Sequence, residues 1–159
     1  MKSSLVKLAV ILIGVVILCY GVASGQEKYL CVTEHATGFS YNENTKEWKS
    51  ATFKADSKYI ITKSDEKEYS FKVTKVGEDS PFYQCEKGIN KFGYLFCKGI
   101  VGEFKFNRLN GRFLATYPHG YFDVIPKHMR SFEDKAKLIP FTDKDSDTPS
   151  MEIGKCSPF

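Results

Sequence analysis

The first 25 residues have the layout of a secretory signal peptide, and this layout constrains how the rest of the chain can fold. Lys2 and Lys7 lead into an apolar run over residues 8–20, and small residues flank the expected cleavage site after Gly25. Residues 26–159 are therefore predicted to be exported, as a periplasmic or secreted protein, into a compartment where thiols oxidise. In the alternative, an uncleaved leader anchors the protein in the inner membrane through residues 5–23.

Four cysteines follow the leader, an even number that favours pairing. Cys85 and Cys97 flank a predicted turn, and Cys31 and Cys156 lie in the first and last predicted strands, which neighbour each other in a closed sheet. We therefore predict the disulfides Cys85–Cys97 and Cys31–Cys156. Reduced core thiols and a zinc site of four cysteines are the alternatives, and the zinc site lacks the usual Cys-x₂₋₄-Cys pair.

The charge balance argues against nucleic acid as a partner. The whole chain has a net charge of +4, of which Lys2 and Lys7 supply two, and 20 of its 23 basic residues are lysine rather than arginine. Residues 26–159 are long enough for one hydrophobic core and are predicted to form a single β-rich domain. A membrane is an expected partner only if the leader is retained, and no cofactor is predicted.

Short runs of alternating apolar and polar residues predict strands joined by tight turns. The run 69–76, for example, places Tyr69, Phe71, Val73 and Val76 on one inward face, and Asn110-Gly111 is a strong hairpin signal. Seven to nine short strands are predicted from the runs 29–33, 39–41, 47–48, 59–62, 69–76, 82–85, 93–97, 103–106, 112–117 and 151–156. The expected fold is all-β, a small antiparallel sandwich or barrel. One short helix is predicted near Phe132–Leu138, within the long polar connection 126–149.

The segment 117–123 carries the candidate binding residues. Tyr117, His119, Tyr121 and Phe122 surround Pro118 and Gly120, which favour a turn and direct their neighbours towards solvent. These four residues are predicted to form a binding rim for an unknown protein or envelope component. Core or edge packing of the same aromatic side chains is the alternative.

Catalytic and metal-binding patterns are weak. His119 with Asp123 would be the acid–base pair of a small envelope hydrolase, but no nucleophile motif accompanies it, so the interpretation leans away from an enzyme. The acidic run 143–147 resembles the start of a calcium loop but has Thr148 and Gly154 where glycine and glutamate are needed. It is interpreted as a solvated loop, and no metal site is predicted.

Three stretches, residues 31–39, residues 96–99 with 102–107, and residues 148–158, resemble small exported proteins of unknown function from Gram-negative bacteria and their phages. The resemblance implies export and paired cysteines, and it assigns no activity and no catalytic residue. The absence of catalytic motifs, the paired cysteines and the aromatic turn instead lead to the predicted role, a non-enzymatic binding or interaction function in the cell envelope. A phage-encoded exclusion or inhibitor protein is a special case of this role.

Overall fold

The computed structural model describes residues 27–100, 102–121, 143–145 and 147–159. Within these residues the chain forms nine strands and one turn of 3₁₀ helix at Asp143–Asp145. The strands are β1 (Tyr29–Asn42), β2 (Glu47–Phe53), β3 (Lys58–Lys63), β4 (Phe71–Lys75), β5 (Pro81–Cys85), β6 (Tyr94–Lys98), β7 (Glu103–Asn107), β8 (Arg112–Tyr117) and β9 (Ser150–Pro158).

Eight of the strands close into an antiparallel barrel. The order runs from β1 through β3 to β9 along the sequence, and β9 then pairs with β1 to complete the ring. β1 is long enough to pair with β2 as well as with β3. Its first residues, Tyr29–Val32, pair with β3, and its later residues, Ala36–Asn42, pair with β2. The β1–β2 hairpin is therefore a branch from the closed barrel.

Aromatic side chains fill the barrel. Phe104 is fully buried at the centre of the cluster, and its ring centroid lies 5.2 Å from that of Phe113, 5.5 Å from that of Tyr59 and 5.6 Å from that of Tyr83. Small eight-stranded barrels can be filled by side chains in this way. The buried positions alternate along β3 to β9, as the sequence pattern predicted, and β1 keeps this alternation up to Thr33.

Both predicted disulfides are confirmed, and each joins two neighbouring strands. Cys31 lies directly opposite Cys156 in the β1–β9 pairing that closes the barrel. Cys85–Cys97 links β5 to β6, where the strand pairing is reduced to Gln84 opposite Lys98. Two buried disulfides in a β-barrel fit an exported, disulfide-stabilised domain in an oxidising, extracytoplasmic compartment.

The structure agrees with the all-β prediction, and of the two predicted architectures, a sandwich or a barrel, it is the barrel. One inward position was wrong, because Val76 is 50% exposed. β4 ends at Lys75, and Val76 already belongs to the turn that continues into Gly77, which has a φ of 95°.

The predicted leader 1–25 and the helix near Phe132–Leu138 lie outside the described residues. Among the residues that are described, no helix is long and apolar enough to cross a membrane.

The two disulfides are expected to contribute unequally to stability. Their sequence separations are 125 and 12 residues, and the chain-entropy relation then gives about 5 kcal/mol for Cys31–Cys156 and about 3 kcal/mol for Cys85–Cys97. Replacing the first pair by alanines should lower the free energy of unfolding by about 2 kcal/mol more than replacing the second. Urea denaturation of the two double variants measures the difference. An equal or larger loss from the Cys85–Cys97 variant would contradict this account.

Gly154 is expected to tolerate no side chain. A Cβ at this position would lie 2.7 Å from Cε1 of Phe113 and 2.1 Å from the carbonyl oxygen of Val32. Gly154→Ala should therefore destabilise the barrel by about 1–3 kcal/mol. Gly88→Ala is the matched control, since its Cβ would meet no atom closer than 3.9 Å, and its effect should stay within about 0.5 kcal/mol. Equal melting temperatures for the two variants would refute this packing argument.

Candidate functional site

The candidate site lies at one end of the barrel, here called the mouth. Four connections meet there: β2–β3, β4–β5, β6–β7 and β8–β9. The aromatic packing of the barrel interior ends at this level, and polar side chains continue the inward faces of the strands. Glu152 on β9 faces inward in the same alternation as Gly154 and Cys156.

The Glu152 carboxylate accepts three hydrogen bonds from hydroxyl groups. Thr33 Oγ1 donates to Oε2 over 2.8 Å, Tyr59 Oη donates to the same oxygen over 3.1 Å, and Ser57 Oγ donates to Oε1 over 3.0 Å. The donors belong to β1, to the residue before β3 and to β3 itself. The cluster therefore spans the place where β1 leaves β3 and begins to pair with β2.

This polar cluster coincides with an irregularity of β1. The register between β1 and β9 shifts between Thr33 and His35, so Glu34 is an extra residue in the strand. The backbone N–H of Thr33 donates instead to the carbonyl of Ser57 over 3.1 Å. The bulge allows β1 to bend away from β3, and the hydroxyl groups around Glu152 fill the opening with hydrogen bonds.

A pocket of about 150 Å³ opens beside the carboxylate. Its walls combine aromatic rings, hydroxyl groups, one carboxylate and one amine: Tyr59, Lys75, Phe82, Tyr83, Ala115, Thr116, Tyr117, Ser150 and Glu152. An apolar cavity of similar volume can hold a benzene-sized molecule. This mouth pocket is thus large enough for a small ligand or for one side chain of a larger partner.

Two tyrosines of the pocket are held in their neutral form. Burial, together with the Glu152 carboxylate, raises the pKa of Tyr83 to about 12 and raises that of Tyr59 still further. Tyr59 donates its hydroxyl hydrogen to Glu152. The Tyr83 side chain is 4% exposed, and its hydroxyl has no hydrogen-bond partner among the residues that the structure describes.

Lys75 reaches the same pocket from β4 but does not neutralise Glu152. Within the described part of the chain it forms no ion pair with that carboxylate. The pKa of Asp56 is lowered mainly by its hydrogen bond and ion pair with Lys54 at 2.9 Å, and the charge of Lys75 adds a smaller contribution. The carboxylate of Glu152 is therefore held by neutral hydroxyl groups.

The predicted rim residues lie beside this pocket, at the same end of the barrel. Tyr117 closes β8, donates its hydroxyl hydrogen to Asp147 Oδ2, and has its ring centroid 5.8 Å from that of His119. Gly120 approaches the backbone of Asp147 so closely that a Cβ would lie 2.1 Å from its carbonyl oxygen. Tyr121 is 65% exposed. Phe122 lies outside the described residues, as does Asp123.

Tyr121 belongs to an aromatic ridge that the sequence did not predict. Its ring packs edge-on against Trp48 of β2 at 5.4 Å, and Trp48 packs against Tyr41 of β1 at 5.8 Å. Tyr41, Trp48 and Tyr121 form this ridge, which joins the β1–β2 branch to the β8–β9 connection. Contacts between such distant parts of the chain leave no local signal in the sequence.

Sequence reasoning also missed Glu152, although a signal was present. Cys156 was predicted to form a disulfide with Cys31 from the last strand, and residues two and four positions away on a strand share its face. An acidic residue on a buried face requires hydrogen-bonding partners, which marks a polar site. A metal centre finds no support in the described residues, which contain no group of three or more potential His, Cys, Asp or Glu ligands.

The raised tyrosine pKa values predict a loss of stability in alkali. A tyrosine ionises near pH 10 in the unfolded chain, so the contribution of Tyr83 is complete below pH 10 and is lost as the pH rises to about 12. The loss attributable to Tyr83 is about 2–3 kcal/mol. Urea denaturation should show a smaller fall in the free energy of unfolding between pH 10 and 12 for Tyr83→Phe than for the unmodified protein. An equal fall in both would contradict the assignment.

No family model matches the chain, and neither a curated protein nor a solved structure matches it.

Proposed function

We propose that the protein is an exported, non-enzymatic binding domain of the cell envelope that holds a partner protein at the mouth of its barrel. The observation that carries the proposal is the aromatic ridge, which presents Tyr121 to solvent next to the mouth pocket. A closed barrel with two disulfides supplies a rigid support for such a surface. Preorganised aromatic side chains are the usual anchors of protein interfaces.

The ridge is fixed by contacts from three segments of the chain. Tyr41 and Trp48 lie opposite each other in the β1–β2 pairing, and Tyr121 reaches them from the β8–β9 connection. Trp48 is thereby half-buried, while Tyr121 keeps most of its surface available. An exposed tyrosine whose ring is already positioned loses little conformational entropy when a partner covers it.

The charge of the mouth favours a basic partner. In the described part of the mouth, acidic residues outnumber basic ones by seven to five: Asp56, Glu78, Asp79, Glu103, Asp143, Asp147 and Glu152 against Lys54, Lys58, Lys75, Lys98 and Lys144. Residues 122–142 contain three acidic and four basic residues in sequence, which does not reverse this balance. Complementary charge steers association and selects partners, so a lysine- or arginine-rich protein surface fits better than an anionic lipid.

The hydrolase alternative gains no specific support. His119 lies next to Tyr117 at the mouth, but its expected partner Asp123 lies outside the described residues. The phage exclusion or inhibitor role remains a special case of the binding proposal, because an inhibitor also acts by occupying a partner protein.

Site-specific photo-crosslinking tests the proposal directly. A benzophenone amino acid at position 121 should form an adduct with a protein in cells that export the domain. The matched control is the same replacement at Phe92, an aromatic residue of similar exposure (60% against 65%) in the β5–β6 connection at the opposite end of the barrel. Adducts from both positions, or from position 92 alone, would contradict a binding mouth. Adducts with lipid or polysaccharide would contradict a protein partner.

With the partner identified from the adduct, affinity measurements give the energetic contribution of the ridge. Tyr121→Ala should weaken binding about tenfold, or about 1.4 kcal/mol, because it removes an aromatic anchor at the centre of the interface. Phe92→Ala should leave the affinity unchanged. The melting temperature of both variants should remain near that of the unmodified protein. A Tyr121→Ala variant that binds normally would show that the ridge is not the contact surface.

A further inference from the structure

We propose that the mouth pocket binds an organic monocation, a primary ammonium or guanidinium group, with the Glu152 carboxylate as its counter-ion. The inference rests on the proposed function in one respect, since it takes this group to be a lysine or arginine side chain of the partner protein. It adds to the aromatic ridge a second mode of recognition, in which Glu152 binds a cationic group.

The hydrogen-bond arrangement of Glu152 is incomplete in a way that a cation would satisfy. A carboxylate oxygen can accept about two hydrogen bonds. Oε2 accepts from Thr33 and Tyr59, whereas Oε1 accepts from Ser57 alone among the described residues. One acceptor position therefore remains beside the pocket, next to a negative charge that pairs with no cation of the described residues.

The Tyr83 hydroxyl is a second, independent indication of a ligand. The side chain is more than nine-tenths buried and lines the pocket, yet its hydroxyl is without a hydrogen-bond partner in the described part of the structure. Buried hydroxyl groups are generally satisfied, and leaving one unsatisfied costs about 1–3 kcal/mol. An ammonium or guanidinium group on Glu152 could donate to this oxygen as well.

The aromatic walls favour an organic cation over a metal ion. Phe82, Tyr83 and Tyr117 all line the pocket, and the faces of aromatic rings attract ammonium and guanidinium groups. Calcium would need six or more oxygen ligands with several carboxylates or carbonyls, and Glu152 is the sole carboxylate among the lining residues. A four-carbon lysine side chain also suits a pocket of about 150 Å³.

Among the described residues that line the pocket, Lys75 is the one cation, and its replacement tests the charge of the ligand. It would oppose a bound monocation, so its removal should strengthen binding. It would assist a zwitterion or an anion, so its removal should then weaken binding. The two directions separate the proposed ligand class from its nearest alternative.

The experiment is an NMR titration of the protein produced from its full-length gene, using four small probes. N-acetyl-lysine methylamide and N-acetyl-arginine methylamide should shift the backbone amides of Tyr83 and Glu152 saturably. N-acetyl-norleucine methylamide, the neutral counterpart, should bind at least tenfold more weakly, and N-acetyl-glutamate methylamide should not bind. Equal binding of the lysine and norleucine probes, tighter binding of the glutamate probe, or no shift with any probe would overturn the proposal.

Variants connect the binding to the named residues. Glu152→Gln keeps the size of the side chain and one acceptor oxygen, and it should weaken the lysine probe at least tenfold. Glu86→Gln, an exposed change in the β5–β6 connection at the opposite end of the barrel, should leave the affinity unchanged. Lys75→Met should tighten the lysine probe about two- to threefold. Undiminished binding of the lysine probe by Glu152→Gln, or weaker binding by Lys75→Met, would refute Glu152 as the counter-ion of a bound monocation. If Glu152→Gln does not fold, the comparison of the four probes on the unmodified protein tests the same proposal.

Binding of the lysine probe is expected to be independent of the aromatic ridge. Tyr121→Ala should leave the affinity for the lysine probe unchanged, since Tyr121 does not line the pocket. Failure of all four probes, with crosslinking at position 121 intact, would overturn the cation site and leave the binding function standing. Saturable shifts with calcium chloride at lower concentration than with the lysine probe would overturn the organic cation.

Discussion

The pairing of β1 with β9 is the constraint on which the rest of the structure depends. It joins the two ends of the domain, it is fixed by Cys31–Cys156, and it converts a row of neighbouring strands into a closed barrel. Closure removes sheet edges along the barrel and allows the aromatic core around Phe104 to be enclosed on all sides. Because the disulfide is buried within this pairing, its formation and the closure of the barrel are coupled.

The same strand creates the site. β1 is too long to remain paired with β3, and the bulge at Glu34 bends it towards β2. The opening left behind is lined by hydroxyl groups that hold Glu152, and the branch carries Trp48 to the position where it meets Tyr121. The polar pocket and the aromatic ridge are thus two consequences of one departure from a regular barrel.

Much of the fold was predictable because its signals are local. Alternation predicted the short strands, Asn110-Gly111 predicted a hairpin that places Gly111 at a φ of 67°, and the turn between Cys85 and Cys97 predicted that disulfide. The Cys31–Cys156 disulfide was predicted without a local signal, from the expectation that the first and last strands of a closed sheet are neighbours. The continuity of β1 was not predictable, since residues 34–38 are mostly polar or small and separate two apolar runs that were interpreted as different strands. The Glu152 cluster was missed because its donors lie 93 to 119 residues away in sequence.

In the proposed complex, a cationic side chain enters the mouth pocket and is held there by Glu152 between aromatic rings. Intermolecular nuclear Overhauser effects test this placement, because they report which protons of ligand and protein are in contact. With N-acetyl-lysine methylamide bound, the account predicts contacts from the ε-methylene protons to the rings of Tyr83 and Tyr117. Contacts confined to Trp48 and Tyr121, or to no aromatic ring of the pocket, would contradict it.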